Sequence, residues 1–127
     1  PGPERWSMLE YGAHVRAVLL TLRERLVVGL IENDPGFKPR YRDERVDLGL
    51  YRAENPDDVA SELAAATAMF VRLFEAIDEA TLSRPVQYGY PGPVQRTLLW
   101  MAQQAVHEVE HHRNDIDEDL QLVSGNT

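Results

Sequence analysis

The chain has 127 residues, of which 43% are hydrophobic and 27% are charged, and this predicts one globular domain with a packed interior. Its formal charge of −8 opposes the phosphate attraction that drives nucleic-acid binding, so DNA and RNA are not expected partners. Charged residues interrupt the most apolar stretch, residues 15–31, so no membrane span or membrane partner is expected. With no cysteine and no secretory signal pattern, we expect a cytoplasmic protein without disulfides or a thiolate nucleophile of its own.

The first predicted helix covers residues 8–31. Ser7 and Glu10 form a capping-box pattern, and Trp6 and Tyr11 occupy the two positions of a hydrophobic staple. Apolar residues then recur with the 3.6-residue period until an Asn-Asp-Pro-Gly sequence ends the pattern.

The next segment, residues 37–54, has no regular pattern and is long for a connection in a compact domain. It is either functional, for example as a lid, or contains a short element that the sequence does not place. Arg40, Arg42 and Arg45 in this segment would suit closure over an anionic substrate, but exposure to solvent is the commoner use of loop charges.

A second helix is predicted from Pro56 to about Ala80, because Asn55 is a favourable N-cap and acidic residues follow in the first turn. Residues 83–93 are rich in glycine and proline and predict a loop. A third long helix should begin between Val94 and Thr97 and end near Leu122.

No segment has a strand-like pattern, so the sequence predicts an all-α protein with three long helices. Three amphipathic helices leave part of their apolar surface uncovered. We therefore expect a fourth helix to be supplied either by residues before Pro1 or by a second subunit, which makes a homodimer one of the two expectations.

The candidate chemistry lies in four histidines: His14 in the first helix, and His107, His111 and His112 in the third. Two pairs in the third helix have the i, i+4 spacing that places both members on one face, His107 with His111 and Glu108 with His112. A third ligand from another helix would complete a metal site with an open position, and His14 is available.

Helical geometry separates the two pairs. At 100° per residue, Glu108 and His112 lie about 100° and 60° from the middle of the apolar stripe, whereas His107 and His111 lie about 160° from it and face solvent. His14 lies about 100° from the middle of its own stripe. A carboxylate at the edge of the core needs neutralisation or a hydrogen bond. A divalent cation would neutralise it, and a hydrogen bond from Glu108 to His14 or His112 without metal is the alternative.

Residues 6–15 resemble the W-S-x-x-E-x-x-x-H signature of the DinB-like metalloprotein superfamily, and residues 108–116 resemble the signature of its last helix. Many members have histidine at both positions of the last-helix pair. Glu108 at the first position is similar to the branch of mycothiol-dependent maleylpyruvate isomerase, whose ligands are His, Glu and His.

This resemblance implies a single domain over residues 1–127 with the DinB-like four-helix bundle of up-down-down-up type, whose first helix is apparently missing from the chain. It implies His14, Glu108 and His112 as ligands of a divalent metal, with zinc expected first and nickel or iron as alternatives. A low-molecular-weight thiol such as mycothiol would be a second cofactor.

The expected function is that of a metal- and thiol-dependent S-transferase or isomerase, in which a metal-bound thiolate attacks a small electrophilic substrate. The lack of cysteine suits a nucleophile that is brought by the cofactor. The alternatives are a metal-dependent hydrolase, with an activated water in the open position, and a non-catalytic metal-binding helical bundle.

Overall fold

A computed structural model of the protein describes residues 6–89 and 91–125, with side chains as far as residue 111. The described residues form four α-helices and one antiparallel hairpin, with a 3₁₀ turn at Thr81–Ser83 before the hairpin. In chain order the elements are α1 (Met8–Ile31), α2 (Arg42–Asp47), α3 (Pro56–Glu75), β1 (Pro85–Tyr88), β2 (Val94–Thr97) and α4 (Leu98–Gly125). None of the helices in the described part of the chain has both the length and the apolar character that a membrane crossing needs.

The predicted start of α1 is confirmed in detail. The Ser7 hydroxyl accepts the Glu10 amide at 3.1 Å, and the Glu10 carboxylate accepts the Ser7 amide at the same distance. The Trp6 and Tyr11 rings lie 5.2 Å apart, as a hydrophobic staple requires. The predicted end at Ile31 is also confirmed.

The core is organised around α1, which contacts both α3 and α4. The side chains that fill it come mainly from residues 15–26 of α1 and the first two turns of α4, with smaller contributions from α3 and β1. Its largest fully buried members are Leu22, Leu26, Leu98, Met101, Val15, Val18 and Val86.

Two predicted boundaries are wrong. The second predicted helix ends at Glu75 and not near Ala80, because the last hydrogen bonds tighten to the 3₁₀ pattern, with the Ile77 amide donating to the Phe74 carbonyl. The start of the last helix is displaced to Leu98, where the Thr97 hydroxyl accepts the Trp100 amide and caps the helix.

The prediction of an all-α chain is also wrong in one place, since residues 85–88 and 94–97 pair as strands around a glycine- and proline-rich turn. Each strand has only four residues, and Val86 is the only one of the eight that is buried. Four residues are too few for an alternation of apolar and polar residues to be recognised in the sequence. The hairpin is stabilised by its tertiary contacts with α4 and not by a sequence pattern of its own.

The segment 37–54 contains a short element, α2, which begins after Tyr41. This confirms the expectation of a short element, and the first residues of α2 also line a groove described below. A functional role for the segment stays a prediction. A second structural feature agrees with the predicted uncovered surface: an apolar groove of about 300 Å³ separates α3 from α4 and is lined by Phe70, Val71, Ala105 and Val106, among others. What covers this groove stays a prediction.

An ion pair connects α1 to Glu54, the residue before the N-cap of α3. Arg16 donates from both terminal nitrogens to Glu54, with a distance of 2.9 Å from Nη1 to Oε1. The hydrogen bond from Arg16 lowers the pKa of Glu54 below its ordinary value of 4.5. Because the pKa is depressed in the folded state, the pair stabilises the fold above pH 4.5, and this contribution is lost as the pH falls through the folded-state pKa.

We expect Glu54→Gln to lower the free energy of unfolding by about 0.5–1 kcal/mol at pH 7, the size expected for a partly exposed ion pair. The difference from the wild type should shrink as the pH is lowered below 4.5. Urea unfolding across this pH range measures it. Glu24→Gln is the matched control, because Glu24 pairs with its chain neighbour Arg23 and is largely exposed. A difference that grows in acid would contradict the prediction.

Candidate functional site

His14 is the only buried polar or charged residue among the described side chains, with 3% of its surface exposed. It lies in the second turn of α1, where the Trp6 ring packs edge-on against the imidazole with 4.8 Å between ring centroids. A buried imidazole nitrogen needs a hydrogen-bond partner or a bound metal ion. The groups around His14 therefore indicate its role.

The partner of His14 is Glu108, which lies 94 residues away in the chain and is positioned by the packing of α4 against α1. Their Nε2 and Oε2 atoms are 3.2 Å apart, and the imidazole N–H donates because an ionised carboxylate only accepts. The Glu108 side chain is 35% exposed, so one side of the pair faces solvent. The structure therefore brings together two of the three predicted ligands.

The charge state of Glu108 follows from its surroundings. The hydrogen bond from His14 lowers the pKa of Glu108, against the opposing effect of burial, and the positive charges of Arg40 and Arg42 lower it further. Glu108 is thus a carboxylate at neutral pH. This is the protonation state that a metal ligand requires.

The third predicted ligand, His112, has a side chain outside the described residues. The backbone of α4 remains helical through this position, so residue 112 lies one turn beyond Glu108 on the same face. Among the side chains that are described, no group of three His, Asp or Glu residues is placed to hold a metal ion.

His107 and His111 are both exposed, as the helical period predicts. The apolar stripe on the opposite side of α4 is buried at Ala102 and Ala105. The orientation of α4 about its own axis therefore agrees with the prediction. Their exclusion as metal ligands stays a prediction.

The spacing of the His14 and Glu108 atoms fits a shared metal ion. Bonds from zinc to imidazole nitrogen and carboxylate oxygen are about 2.0–2.2 Å long, so two donors on one ion lie about 3.0–3.4 Å apart for angles of 90–110°. The observed 3.2 Å lies within this range. Nitrogen and oxygen donors also suit a borderline divalent ion such as zinc.

A groove of about 320 Å³ lies between the second half of α1, the residues around α2 and the end of β1. Arg40 and Arg42 line it, together with Arg25, Lys38 and Tyr88. Closure of this segment over an anionic substrate stays a prediction. Arg45 does not line this groove, because its Nε donates to the Arg40 carbonyl at 2.7 Å and supports the loop instead.

Sequence reasoning missed two features of the site. Trp6 was assigned to the hydrophobic staple and to the signature that it shares with His14, but its packing against the His14 ring was not predicted. Arg25 gave no signal at all, because its place in the groove depends on the path of the residues around Phe37 and Tyr88.

Comparison with protein families shows that the model of the DinB superfamily matches this chain over residues 1–116. This range includes both signatures that carry the resemblance, and it contains all three predicted ligands. Comparison with curated proteins and with solved structures gives no significant match.

Proposed function

Because the chain belongs to the DinB superfamily, we propose that it binds a divalent metal ion, zinc in the first place, through His14, Glu108 and His112. The observation that carries the proposal is the His14–Glu108 pair, which combines a buried imidazole and an ionised carboxylate at 3.2 Å. The helical backbone at residue 112 supports the third position. Nickel and iron are the alternatives, since the same donors bind them.

Each residue of the pair would have a defined task. To bind the ion through Nε2, the His14 ring would carry its proton on Nδ1 instead of on Nε2, where it now donates to Glu108, and the packing of Trp6 against the ring would fix its orientation. Glu108 supplies negative charge without first losing a proton. A bound divalent ion would lower the pKa of a thiol or water that enters the open side of the site.

We infer further that the reaction is a thiol-dependent transfer or isomerisation of a small electrophile. The chain has no cysteine, so the nucleophilic sulfur must come from a small thiol such as mycothiol. The open side of Glu108, which is 35% exposed, gives a small molecule access to the site. Metal-dependent hydrolysis is the second candidate, because the same open position admits water.

The experiment is an activity assay of the full chain with and without zinc, using mycothiol and chlorodinitrobenzene, whose chloride the thiol displaces. We expect turnover above the uncatalysed rate only when both zinc and the thiol are present. Zinc-dependent hydrolysis of nitrophenyl acetate without thiol would transfer the assignment to a hydrolase. Zinc binding without either activity would indicate a non-catalytic metal-binding bundle, and a chain that binds no divalent ion would overturn the proposal.

A further inference from the structure

The groove between α1, the residues around α2 and the end of β1 carries an excess of positive charge on a chain whose formal charge is −8. Its lining includes four cationic side chains and two acidic ones. None of the four cations forms an ion pair within the part of the chain whose side chains are described. The cations are Arg25, Lys38, Arg40 and Arg42, and the acids are Asp43 and Glu44.

Arg25 is the anchored member of this group. Its guanidinium lies over the rings of Phe37 and Tyr88, at 5.1 and 5.6 Å from their centroids, and Nη2 donates to the Lys38 carbonyl at 2.6 Å. Arg25 is partly buried, and this burial lowers the pKa of its guanidinium. A fixed, partly desolvated guanidinium without a carboxylate partner attracts an anion more strongly than a solvated one.

Two arginines of the groove connect it to the surroundings of the candidate metal ligands, because the charges of Arg40 and Arg42 act on Glu108. The Arg42 guanidinium lies 4.7 Å from the Trp6 ring centroid, and the Trp6 ring in turn lies 4.8 Å from that of His14. The charge of Arg40 acts both on Arg25, which lines the groove, and on Glu108. An anion bound to Arg40 and Arg42 would therefore be held by the two groove cations whose charges also act on Glu108.

The backbone between the two arginines is held in an unfavourable conformation. Tyr41 has a φ angle of 57°, in the left-handed region that bulky residues avoid, and its side chain is 54% exposed. Burial of Tyr41 does not account for this conformation. Strain of this kind concentrates at functional sites, where it fixes the neighbouring groups in place.

We propose that this groove binds the carboxylate or phosphate group of a small anionic substrate and directs the rest of that molecule towards His14 and Glu108. Its volume of about 320 Å³ suits a small organic acid or phosphate ester and not a polymer. The role of the bound molecule as substrate rests on the proposed function, whereas the anion site itself is a property of the metal-free chain.

The test is titration of the metal-free protein with malonate and, separately, with phosphate, at constant ionic strength. Trp6 under Arg42 and Trp100 against Tyr88 provide a fluorescence signal, and calorimetry measures the same affinity independently. We expect saturable binding of at least one anion. If malonate binds more tightly, the charged group of the substrate is a carboxylate, and if phosphate binds more tightly, it is a phosphate.

Arg40→Gln should weaken this binding about tenfold or more, because it removes one charge-assisted contact. Arg42→Gln should act in the same direction. Arg72→Gln, which removes the same charge from an exposed position on α3, should leave the affinity unchanged. Equal affinity in Arg40→Gln and the wild type, or no saturable binding of either anion, would overturn the proposal.

A separate zinc titration keeps the two proposals apart. Anion binding without zinc binding would leave the groove assignment intact and remove the proposed metal function. Zinc binding without binding of either anion would support the proposed metal function and overturn the anion site in the groove.

Discussion

Replacing Glu108 by Ala will weaken zinc binding by at least about a hundredfold, because it removes a ligand and not merely a group that orients one. His14→Ala and His112→Ala should reduce binding at least as much. His107→Ala and His111→Ala should change it by less than about threefold, since both residues are exposed and lie on the opposite face of α4. Chelator competition on the purified variants measures these affinities.

His107→Ala is the matched control for His112→Ala, because it removes the same imidazole from the same helix. The outcome that contradicts the assignment is loss of zinc in His107→Ala together with retention in Glu108→Ala. That result would also remove the likeness to the branch with His, Glu and His ligands. Circular dichroism of each variant should show an unchanged helical content, so that loss of metal is not loss of fold.

Replacing Leu26 by Ala will lower the free energy of unfolding by about 2–5 kcal/mol, the cost of deleting a large side chain from a well-packed core. Leu26 is fully buried, and it belongs to the cluster that α1 forms with Leu98 and Met101 of α4. Because this cluster joins the two helices that carry His14 and Glu108, the same substitution should also weaken zinc binding at temperatures near the unfolding midpoint.

Leu20→Ala is the control for this prediction, since Leu20 lies on the same helix and is 42% exposed. It should cost less than about 1 kcal/mol. Urea unfolding of both variants gives the comparison, and the denaturant slope should stay the same if only stability changes. Equal losses in the two variants would show that the C-terminal half of α1 does not form the core described here.

The sequence by itself determined the features that depend on neighbouring residues. The start of α1 at Ser7 and the start of α3 at Asn55 were predicted to the residue, because an N-cap satisfies amides two and three positions along the chain. The rotation of α4 followed from its period, and this placed His107 outside and Glu108 at the edge of the core. Hydrogen bonding within one helical turn and burial along one helix face both depend on the order of residues that are close in the sequence.

Tertiary structure alone decided the features that join distant parts of the chain. The sequence left open whether Glu108 would contact His14, and the packing of α4 on α1 produced that hydrogen bond across 94 residues. The hairpin was invisible because its four-residue strands have no pattern of their own. The groove needed the end of β1, the loop before α2 and the second half of α1 to meet at Arg25. Such contacts form only after long loops close, and their partners therefore leave no periodic trace in the sequence.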